Sequence, residues 1–215
     1  MKVIGIVCEY NPFHLGHLYQ LKKVKEMYPD SIIIVVCSSN FTQRGDVSIL
    51  NKWDKTRIAL EYGVDIFIEL PFGYATQSSD IFAKGAIEIL NHLKIDTLVF
   101  GSESDNIQEL INLANIQLNN KEYNNIVKKY LDQGINYPTA LSKALNDITN
   151  ITINKPNDLL GLSYIKEIIK NNYKITPITI KRTNDYHSKD INNNIINASL
   201  IRKLLKKKKD VTNYI

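Results

Sequence analysis

The sequence predicts an α/β fold built on a doubly wound, parallel sheet. Three observations carry that expectation. Short runs at 3–8 (VIGIVC), 31–37 (SIIIVVC), 65–70 (DIFIEL) and 97–100 (TLVF) are β-branched and apolar on both faces, as strands covered by helices on both sides must be. Segments of helical character alternate with these runs, and a β-α-β order makes each strand pair parallel through a crossover. Polar, small or charged residues stand after each run, where open parallel sheets bind their ligands.

Taken in order, the first strand breaks at Glu9 and passes into a turn of Asn11 and Pro12. Residues 15–28 then predict a helix with Leu18, Leu21, Val24 and Met27 as its apolar stripe, stopped by Pro29-Asp30. After the second strand, 38–50 is too long and too charged for a simple connection. It is a candidate functional loop carrying Gln43-Arg44-Gly45-Asp46. A helix at 52–62 ends at Gly63, the third strand ends at Pro71, and a helix at 79–93 has Ser79 as its expected N-cap. The fourth strand closes on Gly101-Ser102-Glu103. Beyond it, 106–116, 121–133, 137–145 and 157–170 predict helices. The run ITPITI at 175–180 predicts a strand near an edge, because Pro177 has no N–H for a ladder. A polar loop at 183–196 and a short basic helix at 199–207 complete the chain. With no internal repeat and no Gly/Ser/Pro-rich linker, 1–215 reads as a single domain.

Composition narrows the class. A hydrophobic share of 44% with 23% charged residues is ordinary for a soluble protein of 215 residues. No run approaches the ~18 apolar residues of a membrane span, and no signal-peptide pattern opens the chain. These features predict a cytoplasmic protein with no membrane partner. Cys8 and Cys37 each end an apolar run, lack metal-ligand spacing and are expected as free thiols. No metal ligands are assigned. The net charge of +5 is mild, but Lys206–Lys209 concentrates four positive charges. That run fits either a solvated helix end or a contact to RNA phosphate.

The chemistry concentrates at His14-Leu15-Gly16-His17. At a helix start, the dipole and free N–H groups favour an anion. Histidines there donate to phosphate oxygens and, when protonated, stabilise charge growing on phosphorus. Alone, the motif also fits one capping and one packed histidine; behind an apolar strand and Asn-Pro-Phe it points to nucleotide phosphate. Other residues keep two readings. Arg44 either touches a ligand or pairs with Asp46. Glu103 faces substrate or caps its loop. Lys52 and Arg57 form a solvated face or meet phosphate. His92 reads as structural.

The order strand, Asn-Pro-Phe-His-x-Gly-His, helix resembles the HIGH-motif nucleotidyltransferases. Asn197-Ala198-Ser199-Leu200-Ile201-Arg202 stands where that superfamily carries a second motif. Six further blocks resemble the tRNA(Met) cytidine acetate ligase family. They are Glu9–His14, Phe41–Gly45, Ile68–Pro71, Gly101–Glu103, Pro156-Asn157 with Leu160-Gly161, and Lys181-Arg182 with Tyr186-His187. The resemblance implies a Rossmann-like sheet of nucleotidyltransferase (HUP) type with a helical C-terminal part. It also implies a two-step reaction. ATP and acetate give acetyl-adenylate and pyrophosphate, and the acetyl group passes to N4 of the wobble cytidine of elongator tRNA(Met).

By the same resemblance, the ATP site comprises Val7, Cys8, Glu9, Tyr10, Asn11, Pro12, Phe13, His14, Leu15, Gly16, His17, Leu18, Tyr19 and Gln20. Gly101, Asn157, Arg182 and Ser199 join it. His14, His17 and Arg202 are the implied catalytic residues. Arg44, Lys206 and Lys207 are candidate tRNA contacts, and Mg²⁺ is expected wherever ATP phosphates are handled. Family members are longer, with a further C-terminal region that contributes to tRNA binding. The alternatives are adenylylation of a small phosphorylated acceptor and a non-catalytic RNA-binding relative.

Overall fold

The computed structural model describes residues 1–182 and 196–215. Five strands, β1 (Val3–Cys8), β2 (Ile32–Ser38), β3 (Ile66–Leu70), β4 (Thr97–Ser102) and β5 (Thr176–Lys181), form one sheet. The order is β3-β2-β1-β4-β5 and every neighbouring pair is parallel. Helices α1 (Leu15–Met27), α2 (Lys52–Glu61), α3 (Phe72–Ala75) and α4 (Ser79–His92) connect the first four strands. Four more, α5 (Ile107–Asn119), α6 (Lys121–Asp132), α7 (Tyr137–Thr149) and α8 (Pro156–Lys170), lie between β4 and β5, and α9 (Ala198–Lys206) is followed by a short 3-10 turn at Thr212–Tyr214. The chain steps outward from β1 to β3, then returns to place β4 on the other side of β1. The switch point is therefore between β1 and β4, where an open sheet parts its loops around a ligand.

Alternation along the strands builds two cores. Ile4, Ile6, Ile33, Val35 and Val99 pack with Leu21 and Val24 of α1 and Ala59 of α2. Ile34, Val36, Leu98 and Phe100 face the opposite way, against α4, α5 and α8. With both faces covered, the strands read as continuous apolar runs. Strand β5 is an edge strand, and Pro177 stands opposite Leu98. Gly161 lets α8 lie close on β4, because a Cβ there would run into the Phe100 ring. Cys8 and Cys37 are register partners on β1 and β2, and both are free thiols.

Several expectations are corrected in detail. The apolar stripe of α1 fails at Met27, which is 43% exposed. Three-residue steps fall about 60° short of a turn, so by Met27 the stripe has rotated to the far side from Leu18. Ser78, not Ser79, is the N-cap of α4, and it makes no side-chain cap hydrogen bond. The short helix α3 lies where only the end of a strand was expected. Segment 38–50 contains a small hairpin, with a Phe41–Val47 bridge and Gly45 at φ +81° in its turn. Lys52 pairs with Glu69, and Arg57 with Glu61 and Asp54, so these two α2 cations are paired at the surface. His92 is exposed, and its Nδ1 lies 2.8 Å from the Glu88 carbonyl oxygen. The expected polar loop, including Tyr186 and His187, lies outside the described residues apart from Ile196. Among the described residues, no helix is long and apolar enough to cross a membrane.

Candidate active site

The end of β1 and the start of α1 are shaped by two histidines. His14 is the N-cap of α1, in extended conformation, and its Nδ1 accepts from Gly16 N at 3.0 Å. His17 answers with Nδ1, accepting from His14 N at 3.3 Å. This is a capping box made of imidazoles in place of Ser and Glu. In a neutral ring the nitrogen that accepts carries no proton, so both rings hold their proton on Nε2. The two rings stack, and Tyr10 and Phe13 wall His17 from the side.

Burial pushes the His14 pKa down to about 4, with Arg182 and Arg202 adding repulsion. His17 is lowered well below the usual range by burial, then by His14 and Arg182. The rings are therefore neutral near pH 7, and each keeps an Nε2–H to donate, which is the first of the two roles read from the sequence.

Asn11 ties three segments together. Its Oδ1 accepts from Ile49 N at 2.8 Å and Ser48 Oγ at 3.2 Å, and its carbonyl accepts from Arg202 Nη1 at 2.9 Å. Arg202 Nη2 also donates to Ser199 Oγ at 3.0 Å. The fork geometry of a guanidinium makes that double reach possible, and it fastens α9 to the β1–α1 loop. Glu9 accepts from Gln43 N at 2.6 Å, so the hairpin is pinned to the same loop. Beneath it, Lys55 is 1% exposed and donates to the carbonyls of Ser38 and Ser39 at 3.1 and 2.7 Å. Burial lowers its pKa.

On the other side of the switch point, the Arg182 side chain lies over Gly101. A Cβ on that glycine would stand 3.3 Å from Arg182 Cγ. The turn after β4 and the start of α8 cap each other. Glu103 accepts from Asn157 N, Asn157 Nδ2 and Asp158 N. Asp158 accepts from Ser102 Oγ, Glu103 N and Ser104 N. Neither reading of Glu103 is met: its carboxylate caps α8 instead of its own loop, and it stands outside the crevice at the switch point.

These parts border a crevice of about 690 Å³. Of the expected residues, Val7, Cys8, Glu9, Tyr10, Asn11, His14, Gly16, His17, Tyr19, Gln20, Arg44, Gly101, Asn157, Arg182, Ser199 and Arg202 line it. Pro12, Phe13, Leu15 and Leu18 do not. Phe13 stacks on Tyr62 with centroids 5.1 Å apart, and both Phe13 and Leu18 belong to the α1/α2 core. Lys206 and Lys207 are exposed at the end of α9, away from the crevice. Sequence reasoning missed part of the wall, made by Asp80, Tyr137 and Leu141. Asp80 accepts from Ser163 Oγ and Lys166 Nζ, both at 3.1 Å. A pairing of α4 with α8 across such a sequence distance has no local signal. Among the described residues, no group of three or more His, Cys, Asp or Glu could hold a metal ion.

The chain matches a HIGH Nucleotidyl Transferase family model over residues 1–215. A relative in Mesomycoplasma hyopneumoniae strain J, described as a tRNA(Met) cytidine acetate ligase, is 45% identical over 98% of this chain and 67% of its own length. A relative of the same description in Mycoplasmopsis pulmonis is 46% identical, over 98% of this chain and 71% of its own. A crystal structure of Thermotoga maritima TmcAL bound with alpha-thio ATP superposes with a TM-score of 0.89 at 35% identity. It covers 100% of this chain and 53% of the Thermotoga one. The chain thus spans about two thirds of the mycoplasmal relatives and about half of the Thermotoga protein. With the motif geometry and the family match over 1–215 agreeing, this chain belongs to the tRNA(Met) cytidine acetate ligase family of HIGH nucleotidyltransferases.

Proposed function

We propose that this chain binds ATP in the crevice, activates acetate as acetyl-adenylate and passes the acetyl group to N4 of the wobble cytidine of elongator tRNA(Met). The observation that carries the reading is the convergence of His14, His17, Arg182 and Arg202 on one crevice at the β1/β4 switch point. In the first step an acetate oxygen attacks the α-phosphorus, and the bond to pyrophosphate breaks. Acetate is already an anion near neutral pH, so the step needs no general base. Its demand is charge stabilisation and alignment. His14 and His17 donate to phosphate oxygens, the guanidinium groups of Arg182 and Arg202 neutralise them, and Gly101 gives the nucleoside room. In the second step the cytidine N4 attacks the acetyl carbon, loses a proton and releases AMP.

Mg²⁺ is part of the expectation, but the described residues offer it no ready ligand set. Phosphate oxygens and water would have to coordinate it, and no step runs through a protein-held metal. Arg44 lines the crevice on the hairpin, while Lys203 and Lys206 on α9 and Lys207–Lys209 just past its end are exposed, and Arg202 of the same helix reaches the crevice. These cations form the proposed tRNA track.

The reading is tested with labelled pyrophosphate, which should exchange into ATP when acetate is supplied. Exchange driven by another acid, or by none, would reject acetate as substrate. Acetylation of a tRNA(Met) anticodon stem-loop by the same protein tests the second half.

A further inference from the structure

We propose that Glu103 sets the polarity of Asn157, so that the crevice presents a hydrogen-bond acceptor and selects nucleosides carrying a donor at that point. The donor is the exocyclic amino group of adenine or a ribose hydroxyl. The inference rests on the nucleotide reading of the crevice and asks which nucleotide fits. A carboxylate can only accept. Glu103 Oε1 receives both Asn157 N, at 3.4 Å, and Asn157 Nδ2, at 2.5 Å, while Oε2 receives Asp158 N at 3.1 Å. Rotating the Asn157 amide by half a turn would set its oxygen against the Glu103 oxygen. The amide is therefore held with nitrogen toward Glu103, and Oδ1 is the end left for the crevice that Asn157 lines.

Glu103 has little freedom to release it. The turn that carries Glu103 is held by Asp158, which accepts from Glu103 N at 3.1 Å and Ser104 N at 3.0 Å. From the other side, Lys181 Nζ donates to the Glu103 carbonyl at 2.8 Å. An amide of fixed polarity discriminates. A ligand donor completes its hydrogen bond, whereas a 6-oxo purine or a deoxyribose leaves Oδ1 opposed or unmatched.

The experiment measures equilibrium binding of ATP, ITP, 2′-deoxy-ATP and 3′-deoxy-ATP to the purified protein and to three variants, with melting curves for each. Glu103→Gln can point either an oxygen or an amino group at Asn157, so it frees the amide to turn. The preference for ATP over ITP, or over one deoxy analogue, should fall about tenfold. Which ratio falls identifies the donor. Asn157→Ala, which leaves the backbone capping by Glu103 intact, should flatten the same ratio even if Glu103→Gln folds poorly. Asp158→Asn loosens the turn that positions Glu103 without touching the Asn157 side chain, and should lower the same ratio by less than Glu103→Gln does. The proposal is overturned if all ratios survive in Glu103→Gln and Asn157→Ala. If the unaltered protein binds no adenine nucleotide, the ATP reading falls and takes this inference with it. If it binds ATP and the ratios do not move, only this inference falls.

Discussion

His14 and His17 stack across the first turn of α1 with ring centroids 3.9 Å apart, and each spends its Nδ1 on a backbone N–H. The stack is compatible with neutral rings and costly with charged ones, since a proton on either would sit buried beside its partner and near Arg182.

A pH dependence follows. The folded-state pKa of His14, about 4, lies below its ordinary 6.5. The neutral ring is favoured by the fold, so its contribution is fully present above about pH 6.5 and is lost as pH falls toward 4. Across that window the ligand-free protein should lose up to about 3 kcal/mol from His14 alone. Denaturant unfolding at pH 7.5 and 5 should show the loss, and His14→Asn, which can still cap, should flatten it. An unchanged slope in that variant would show that His14 is not responsible.

Two glycines near the crevice should respond differently to an added methyl. At Gly101 the new Cβ meets the flexible Arg182 side chain at 3.3 Å. Gly101→Ala should fold normally and weaken nucleotide binding severalfold, since Arg182 must shift. At Gly161 the Cβ meets the Phe100 ring, which is itself buried. Gly161→Ala should cost about 1–3 kcal/mol of stability through overpacking. Paired melting and binding measurements separate the two.

Lys55 offers a third test. Replacement by Met keeps the stem but strands the Ser38 and Ser39 carbonyls that its ammonium satisfies. Unsatisfied buried acceptors should destabilise the protein by about 2–3 kcal/mol. A variant as stable as the parent would mean that water replaces the ammonium.

For the proposed RNA track, Lys206→Ala with Lys207→Ala should leave acetate-dependent pyrophosphate exchange unchanged. Affinity for tRNA should fall, and the slope of log affinity against log salt should shrink by roughly 0.7–0.9 for each phosphate that is no longer neutralised. An unchanged slope would leave those lysines as a solvated helix end.

The sheet was legible because its central strands are buried on both faces, which writes long β-branched runs such as Ile32–Val36 into the sequence. The crevice was legible in part. His14, Gly101 and Arg182 stand at strand ends that topology brings together. Phe13 was misplaced because motif membership does not say which side chain points inward; stacking on Tyr62 turns it into the core. Glu103 stayed ambiguous because its partner, Asp158, is 55 residues away. Asp80, Tyr137 and Leu141 were invisible for a related reason, since α4 and α7 reach the crevice only through tertiary packing.

The exchange of carboxylates between Glu103 and Asp158 also bears on how the molecule breathes. The Asp158 amide is held by Glu103, and the Glu103 and Ser104 amides are held by Asp158. Neither the β4–α5 turn nor the first turn of α8 can fray without releasing the other. Their amide protons should therefore exchange with solvent at a common rate, as one opening unit, and that rate should slow together when a nucleotide occupies the crevice.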